Sequence, residues 1–149
     1  MAQILSAFSR DANGVPITTM GILATPKSIT FVAGTTGAVG ATTLFTVTGT
    51  IAVNIIGLCT TDLAGAGTIE IGTATSTACL CDQQSATAID NHEVWHDNIL
   101  AIGGAAANHW HVINESVIQT IATNTVSGGI LTYYCNWAPL SSDGNVVVA

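Results

Sequence analysis

Ile130-Leu131-Thr132-Tyr133-Tyr134-Cys135-Asn136-Trp137 is the longest clean strand signature in the chain. Side chains alternate across a pleated strand, so Leu131, Tyr133, Cys135 and Trp137 share one face. That face is large and apolar, and it needs a second layer to cover it. The same period recurs upstream in Thr50–Cys59, where Ile51, Val53 and Ile55 align. Working outward, strands are expected over Ser28–Ala33, Thr42–Thr48, Glu93–Asp97, His109–Asn114 and Val117–Ala122, with a short Val146–Val148 strand near the end. Thr68–Thr73 and Thr77–Cys81 read as a hairpin pair. Roughly ten short strands with turn signals between them, and no convincing amphipathic helix, make an all-β protein. The expected architecture is an antiparallel β-sandwich or jelly roll, with a small barrel as the other solution.

The composition supports strands. Ala, Gly, Thr, Val and Ile dominate, and β-branched side chains pack well on a pleated surface. Fifteen glycines supply turns, notably in the loop 33–41, Ala-Gly-Thr-Thr-Gly-Ala-Val-Gly-Ala. The one helix-tolerant stretch, Ile99–Asn108, is weakened by the Gly103-Gly104 pair. Residues 1–27 differ from the rest: they hold Arg10 and Lys27, the only basic residues, and two of the three prolines. Asn13-Gly14 signals a turn, and Val15-Pro16 forces extended backbone. The expected organisation is an extended N-terminal arm over residues 1–27 and a single β-sandwich domain over residues 28–149.

Charge is the most unusual feature. Only 7% of residues are charged, against about 25% in an ordinary soluble domain. A monomer normally stays soluble behind a mixed charged surface, so subunit contacts are expected to cover much of this one. A net charge of −7 argues against direct nucleic-acid binding and against an anionic membrane surface. No apolar run reaches the length of a membrane span, and the first residues lack the pattern of a signal peptide. Synthesis in a cytoplasm is therefore expected, with Cys59, Cys79, Cys81 and Cys135 reduced and acting as small hydrophobes.

One motif resembles chemistry. His92-Glu93-Val94-Trp95-His96 matches H-E-x-x-H, which on a helix sets two imidazoles on one face for zinc, with the glutamate activating a metal-bound water. Glu115 is a conceivable third ligand. The context opposes this zinc-hydrolase alternative. Asp90-Asn91 is a turn signal, Val94 and Trp95 favour strand, and Ile99 and Ile102 stand where the longer metalloprotease motif has a glycine and a third histidine. In a strand, His92 and His96 lie about 13 Å apart. His92, His96, His109 and His111 are thus only weak metal candidates. No metal site, cofactor or enzymatic activity is expected. No G-x-S-x-G or phosphate-gripping loop occurs either.

The stretches Val32–Leu63, Ala88–Asp97 and Tyr133–Ala149 resemble small virion proteins of tailed bacteriophages, and Ser9–Ile22 resembles the arm that opens some phage head proteins. The resemblance covers most of the chain and carries no catalytic signature. It implies a capsid decoration, or cement, protein on the virion surface. Such a protein forms a homotrimer and clamps neighbouring copies of the major capsid protein. A tail component (tube, adaptor or fibre-base module) is the alternative. Arg10, Val15, Pro16 and Ile17 are the candidate arm contacts. Tyr133 and Trp137 are interface or core candidates. Trp95, Trp110 and Tyr134 would line the groove if the protein were instead a glycan- or receptor-binding module.

Overall fold

A computed structural model describes residues 22–97 and 110–149. The described residues form eleven strands: β1 (Ile22–Leu23), β2 (Lys27–Thr30), β3 (Gly40–Thr48), β4 (Ile51–Ala64), β5 (Thr68–Gly72), β6 (Cys81–Ser85), β7 (Val94–His96), β8 (His111–Ile113), β9 (Val117–Ala122), β10 (Gly128–Pro139) and β11 (Asn145–Val148). They form two antiparallel sheets. In the six-stranded sheet, β10 and β4 are central; β1 and β2 pair with the free side of β10, while β7 and β8 pair with the free side of β4. The five-stranded sheet runs β11-β3-β9-β5-β6.

Number the eight strands β2, β3, β4, β5, β6, β7, β9 and β10 from first to eighth in chain order. The sheets then read 1-8-3-6 and 2-7-4-5. This interleaving is the jelly roll, in which every connection among these strands but the β5–β6 hairpin passes from one sheet to the other. Of the architectures left open by the strand pattern, the molecule adopts this one, with β11 added beside β3.

The core follows from the two-residue period. On β10, Leu131, Tyr133, Cys135 and Trp137 are buried, and on β4 Ile51, Val53, Ile55 and Cys59 face the same way. The opposite sheet answers with Phe45, Ile69, Ile71, Val117 and Ile121. Gly57 stands opposite both Tyr133 and Trp95 in the register. Their rings close over it, 3.4–3.5 Å from where a Cβ would sit. Near its start β10 bulges: the register shifts between Gly128 and Leu131, and Gly129 takes φ 105°. A Cβ there would lie 2.5 Å from the Asp62 carbonyl oxygen, so only glycine fits.

Several boundaries differ from those expected. β2 starts at Lys27 and ends at Thr30, because Val32 turns away into a loop in which its carbonyl accepts from Thr35 and Gly37. Residues 22–27, grouped by composition with the arm, run along β10, and the Ala24 N–H donates to the Cys135 carbonyl at 2.9 Å. The Asn13-Gly14 turn and the helix-tolerant stretch 99–108 lie outside the described residues. The hairpin after β5 exists, but its second strand is Cys81–Ser85 rather than Thr77–Cys81. A turn closed by Thr73 N–H to Ser76 O at 2.9 Å consumes the intervening residues. Cys79 therefore lies outside the strand.

Edge strands invite unwanted pairing unless guarded. The β1–β2 edge carries Pro26 and Lys27, and the opposite edge is split into β7 and β8, three residues each. The Lys27 ammonium donates to the Ala149 carbonyl oxygen. It thereby ties the edge of one sheet to the end of the other.

Candidate functional site: the histidine edge and the outer sheet face

The H-E-x-x-H segment is not helical. His92 sits in a turn with φ 69°, and Val94–His96 is strand β7. The turn is held by β4: the His92 N–H donates to Cys59 O, and the Cys59 N–H to Glu93 O, each at 2.9 Å. Glu93 spends a carboxylate oxygen on the Asp90 N–H at 3.1 Å. Trp95, between the histidines, is buried. The local sequence thus serves a strand entry, as the Asp90-Asn91 signal foretold. Among the described residues no three His, Cys, Asp or Glu side chains are grouped to hold a metal ion. His109 lies outside the described residues.

The candidate third ligand, Glu115, is engaged elsewhere. It accepts from the Thr75 N–H at 3.0 Å and the Thr75 hydroxyl at 2.6 Å. These bonds favour the ionised form, so Thr75 first, with Thr73 adding to it, holds the carboxyl below its usual 4.5. The contact ties the β8–β9 connection to the β5–β6 turn and shapes a small pocket of about 210 Å³ that Cys79 also lines. Because the folded state depresses this group, the contact is fully present above the usual carboxylate value and weakens as pH falls below it.

His111 is brought to a partner that the sequence did not suggest. Its Nε2 lies 3.0 Å from Oδ2 of Asp97. An ionised carboxylate only accepts, so the imidazole N–H donates. Asp97 is buried, and its charge reaches Cys81 on the opposite sheet. The pair spans the place where β7 and β8 meet along β4, so it positions the split edge. The spacing of fourteen residues between the partners has no motif value, and only the fold brings them together.

Burial separates the four thiols, all free. It pushes Cys135 and Cys81 up to about 12, with the Asp97 carboxylate adding to the effect at Cys81, and it raises Cys59. Only the thiolate reacts appreciably, and Cys79 alone is partly exposed. A colorimetric disulfide reagent is therefore expected to titrate Cys79 rapidly in native protein and all four cysteines only in denaturant. Rapid native reaction of more than a single thiol would contradict this burial.

Tyr133 and Trp137 are core residues of this chain. Of the two places expected for them, core or interface, the described structure puts both in the core: Tyr133 has no exposed surface and Trp137 very little. Trp95 is likewise removed from any groove, while Trp110 and Tyr134 are half-buried. Arg10, Val15, Pro16 and Ile17 lie outside the described residues.

The outer face of the six-stranded sheet, beneath which Trp95, Tyr133 and Trp137 pack, holds no carboxylate, lysine or arginine in its central rows. One row reads Ser28, Thr132, Leu58, Val94. The next holds Tyr134, Ile56 and His96, and a third Leu23, Asn136 and Asn54. Val112 stands beside Ala52 and Ala138 at the far end. Asp62 lies beyond the irregularity in β4, where the Asn91 N–H donates to it. The outer face of the other sheet is threonine-rich and carries Glu70 and Asp82.

No family model, curated protein or solved structure matches the chain.

Proposed function

We propose that the chain is a structural protein of a bacteriophage virion: a decoration protein that oligomerises, as a homotrimer, on the head and clamps neighbouring copies of the major capsid protein. The observation that carries this reading is a jelly roll with few charged side chains and almost no basic ones. Among the described residues Lys27 is the sole lysine or arginine, and its ammonium is spent on Ala149. Jelly rolls serve as shell-building modules because two sheets closed over one core offer flat outer faces and protected edges. Fold alone does not assign function; the missing charge adds the expectation of permanent partners. The residues of the H-E-x-x-H segment and Glu115 already serve turns and loop ties, which favours a structural role over hydrolysis.

The N-terminal arm supplies the grip on the capsid, through Arg10, Val15, Pro16 and Ile17, by adding backbone hydrogen bonds to a neighbouring sheet edge. A tail component is the alternative, with the same requirement for oligomers. The test is localisation. Virions made by the encoding genome, with the chain carrying a small epitope, are imaged with labelled antibody. Label over the shell is expected; label confined to the tail selects the alternative, and virions without label overturn both. Deleting residues 2–16 is expected to lower the number of copies retained per particle while the sandwich stays folded.

A further inference from the structure

We infer that the flank of the sandwich between β2 and β3 is a binding site for a small carboxylate that carries a second oxygen acceptor. The inference goes beyond the proposed structural role and does not rest on it.

The strand register builds the site. Lys27 is the cross-strand neighbour of Tyr133, and Ile29 of Leu131, so both start from the inner face of the six-stranded sheet. On the facing sheet Thr42 is the neighbour of the buried Gln119 and shares its inner face. Thr42 is nevertheless exposed. The reason is that β11 stops short: its last pair is Val148 with Phe45, which leaves the start of β3 without an outer neighbour. One end of this opening is closed by the β2–β3 loop, where the Thr36 hydroxyl donates to the Thr30 carbonyl at 2.6 Å. The other end is closed by the Lys27 tie to Ala149. Between them lies a cleft of about 360 Å³ lined by Lys27, Ser28, Ile29, Thr30, Thr36 and Thr42, within the size range of small-molecule sites.

The polar groups of the cleft name the ligand. Among the described residues Lys27 is the sole lysine or arginine, and no carboxylate lines the cleft. An ammonium has more than one N–H; one goes to the Ala149 carbonyl oxygen, and the others are left for a ligand. One strand further in, Gln119 accepts the Tyr133 hydroxyl through Oε1, while its Nε2 is buried with no hydrogen-bond partner among the described residues. An unmet buried donor is costly, and Gln119 is wholly buried. Both available groups donate, so the ligand must accept at both ends. An anionic oxygen suits the ammonium at the mouth. A neutral carbonyl or hydroxyl oxygen suits the amide at depth, where a second charge would be too expensive to desolvate. Ile29 offers an apolar wall for the carbon chain between them.

The probe is levulinate, a short keto acid, titrated into isotope-labelled full-length protein and followed by NMR. Saturable shifts are expected in the Gln119 side-chain amide signal and in the backbone amides of Lys27 and Thr42, with the weak, millimolar affinity usual for so small a ligand. Valerate, which lacks the keto oxygen, and methyl levulinate, which lacks the charge, are each expected to bind about tenfold more weakly or worse. Lys27→Met is expected to weaken levulinate binding by about tenfold or more. Thr42→Leu adds bulk at an exposed position, where folding tolerates it, and is expected to block the mouth. Thr46→Leu, exposed on the same strand outside the cleft, is expected to bind like wild type. Signal dispersion confirms that each variant is folded, and Thr42→Leu decides the matter if Lys27→Met is not. The inference is overturned by the absence of saturable shifts, by equal binding of levulinate, valerate and methyl levulinate, or by folded cleft variants that bind like wild type.

Discussion

Tyr133→Ala is expected to bring the protein close to global unfolding at room temperature, seen as a large fall in the urea midpoint. Tyr133 lies wholly inside the sandwich, on β10, whose residues 130–138 alternate strictly between half-buried and buried. Its hydroxyl crosses between the sheets and donates to Oε1 of Gln119 on β9, itself fully buried. Truncating a buried aromatic to alanine costs about 3–5 kcal/mol, and orphaning the buried amide adds about 1–3 kcal/mol. The sum approaches the total stability of an ordinary domain, about 5–15 kcal/mol. Burial also lifts the phenol well above its usual range, so it remains a donor throughout the physiological pH span. Tyr133→Phe isolates the polar part and is expected to cost about 1–3 kcal/mol. Adding Gln119→Leu should recover much of that loss, because replacing both partners by apolar groups leaves no unpaired group. If Tyr133→Phe is as stable as wild type, the inter-sheet hydrogen bond contributes nothing.

Gly37→Ala carries the second-largest expected effect, although it adds one methyl group in a loop. The Gly37 N–H donates to Val32 O and its carbonyl accepts from Val126 N–H, each at 2.9 Å. A Cβ at this position would lie 1.8 Å from the Val126 carbonyl oxygen. Backbone rather than a movable side chain blocks it, so the two loops must part. Val126 is buried beneath the contact, and separation would admit water to the core. The expected cost is about 3 kcal/mol or more, at the upper end of overpacking effects. Gly128→Ala is the matched comparison. Its nearest neighbour, the Ala64 Cβ, is 3.9 Å away; the change should be within about 1 kcal/mol and can stabilise by restricting the unfolded chain. Equal effects at the two glycines would refute this account of the 33–41 loop.

Strands were legible in proportion to how cleanly their residues alternated. β9 runs over the expected Val117–Ala122, and β10 extends its expected range by two residues at each end. On β10 the buried Leu131, Tyr133, Cys135 and Trp137 are large and mostly apolar, whereas on β9 Gln119 is buried and Ile118 half-buried, so there β-branched composition more than alternation marked the strand. The Thr77–Cys81 expectation failed because Thr-Ala-Cys-Leu-Cys has strand-like composition while Thr73 and Ser76 close a turn into it. β6 is Cys-Asp-Gln-Gln-Ser, a polar edge strand with only Cys81 buried, and so carries little periodic signal. The H-E-x-x-H motif was legible as a contradiction between a helical motif and strand-forming residues, and the strand prevailed because β4 supplies the backbone partners.

Sequence alone determined the fold class and the poverty of charge, because a two-residue apolar period and a residue count are local properties that need no knowledge of neighbours. It also placed Leu131, Tyr133, Cys135 and Trp137 on one face. The tertiary structure alone decided that this face is the molecule's own core, that His111 meets Asp97, that Gln119 receives the Tyr133 hydroxyl, and that Leu23, Ile56, Leu58 and Val94 lie on the opposite face of the six-stranded sheet. Those facts depend on which strands become neighbours. Strand order in a jelly roll is set by long-range pairing between segments such as β2 and β10, whose energies come from the whole packed interior and leave no mark in either segment by itself.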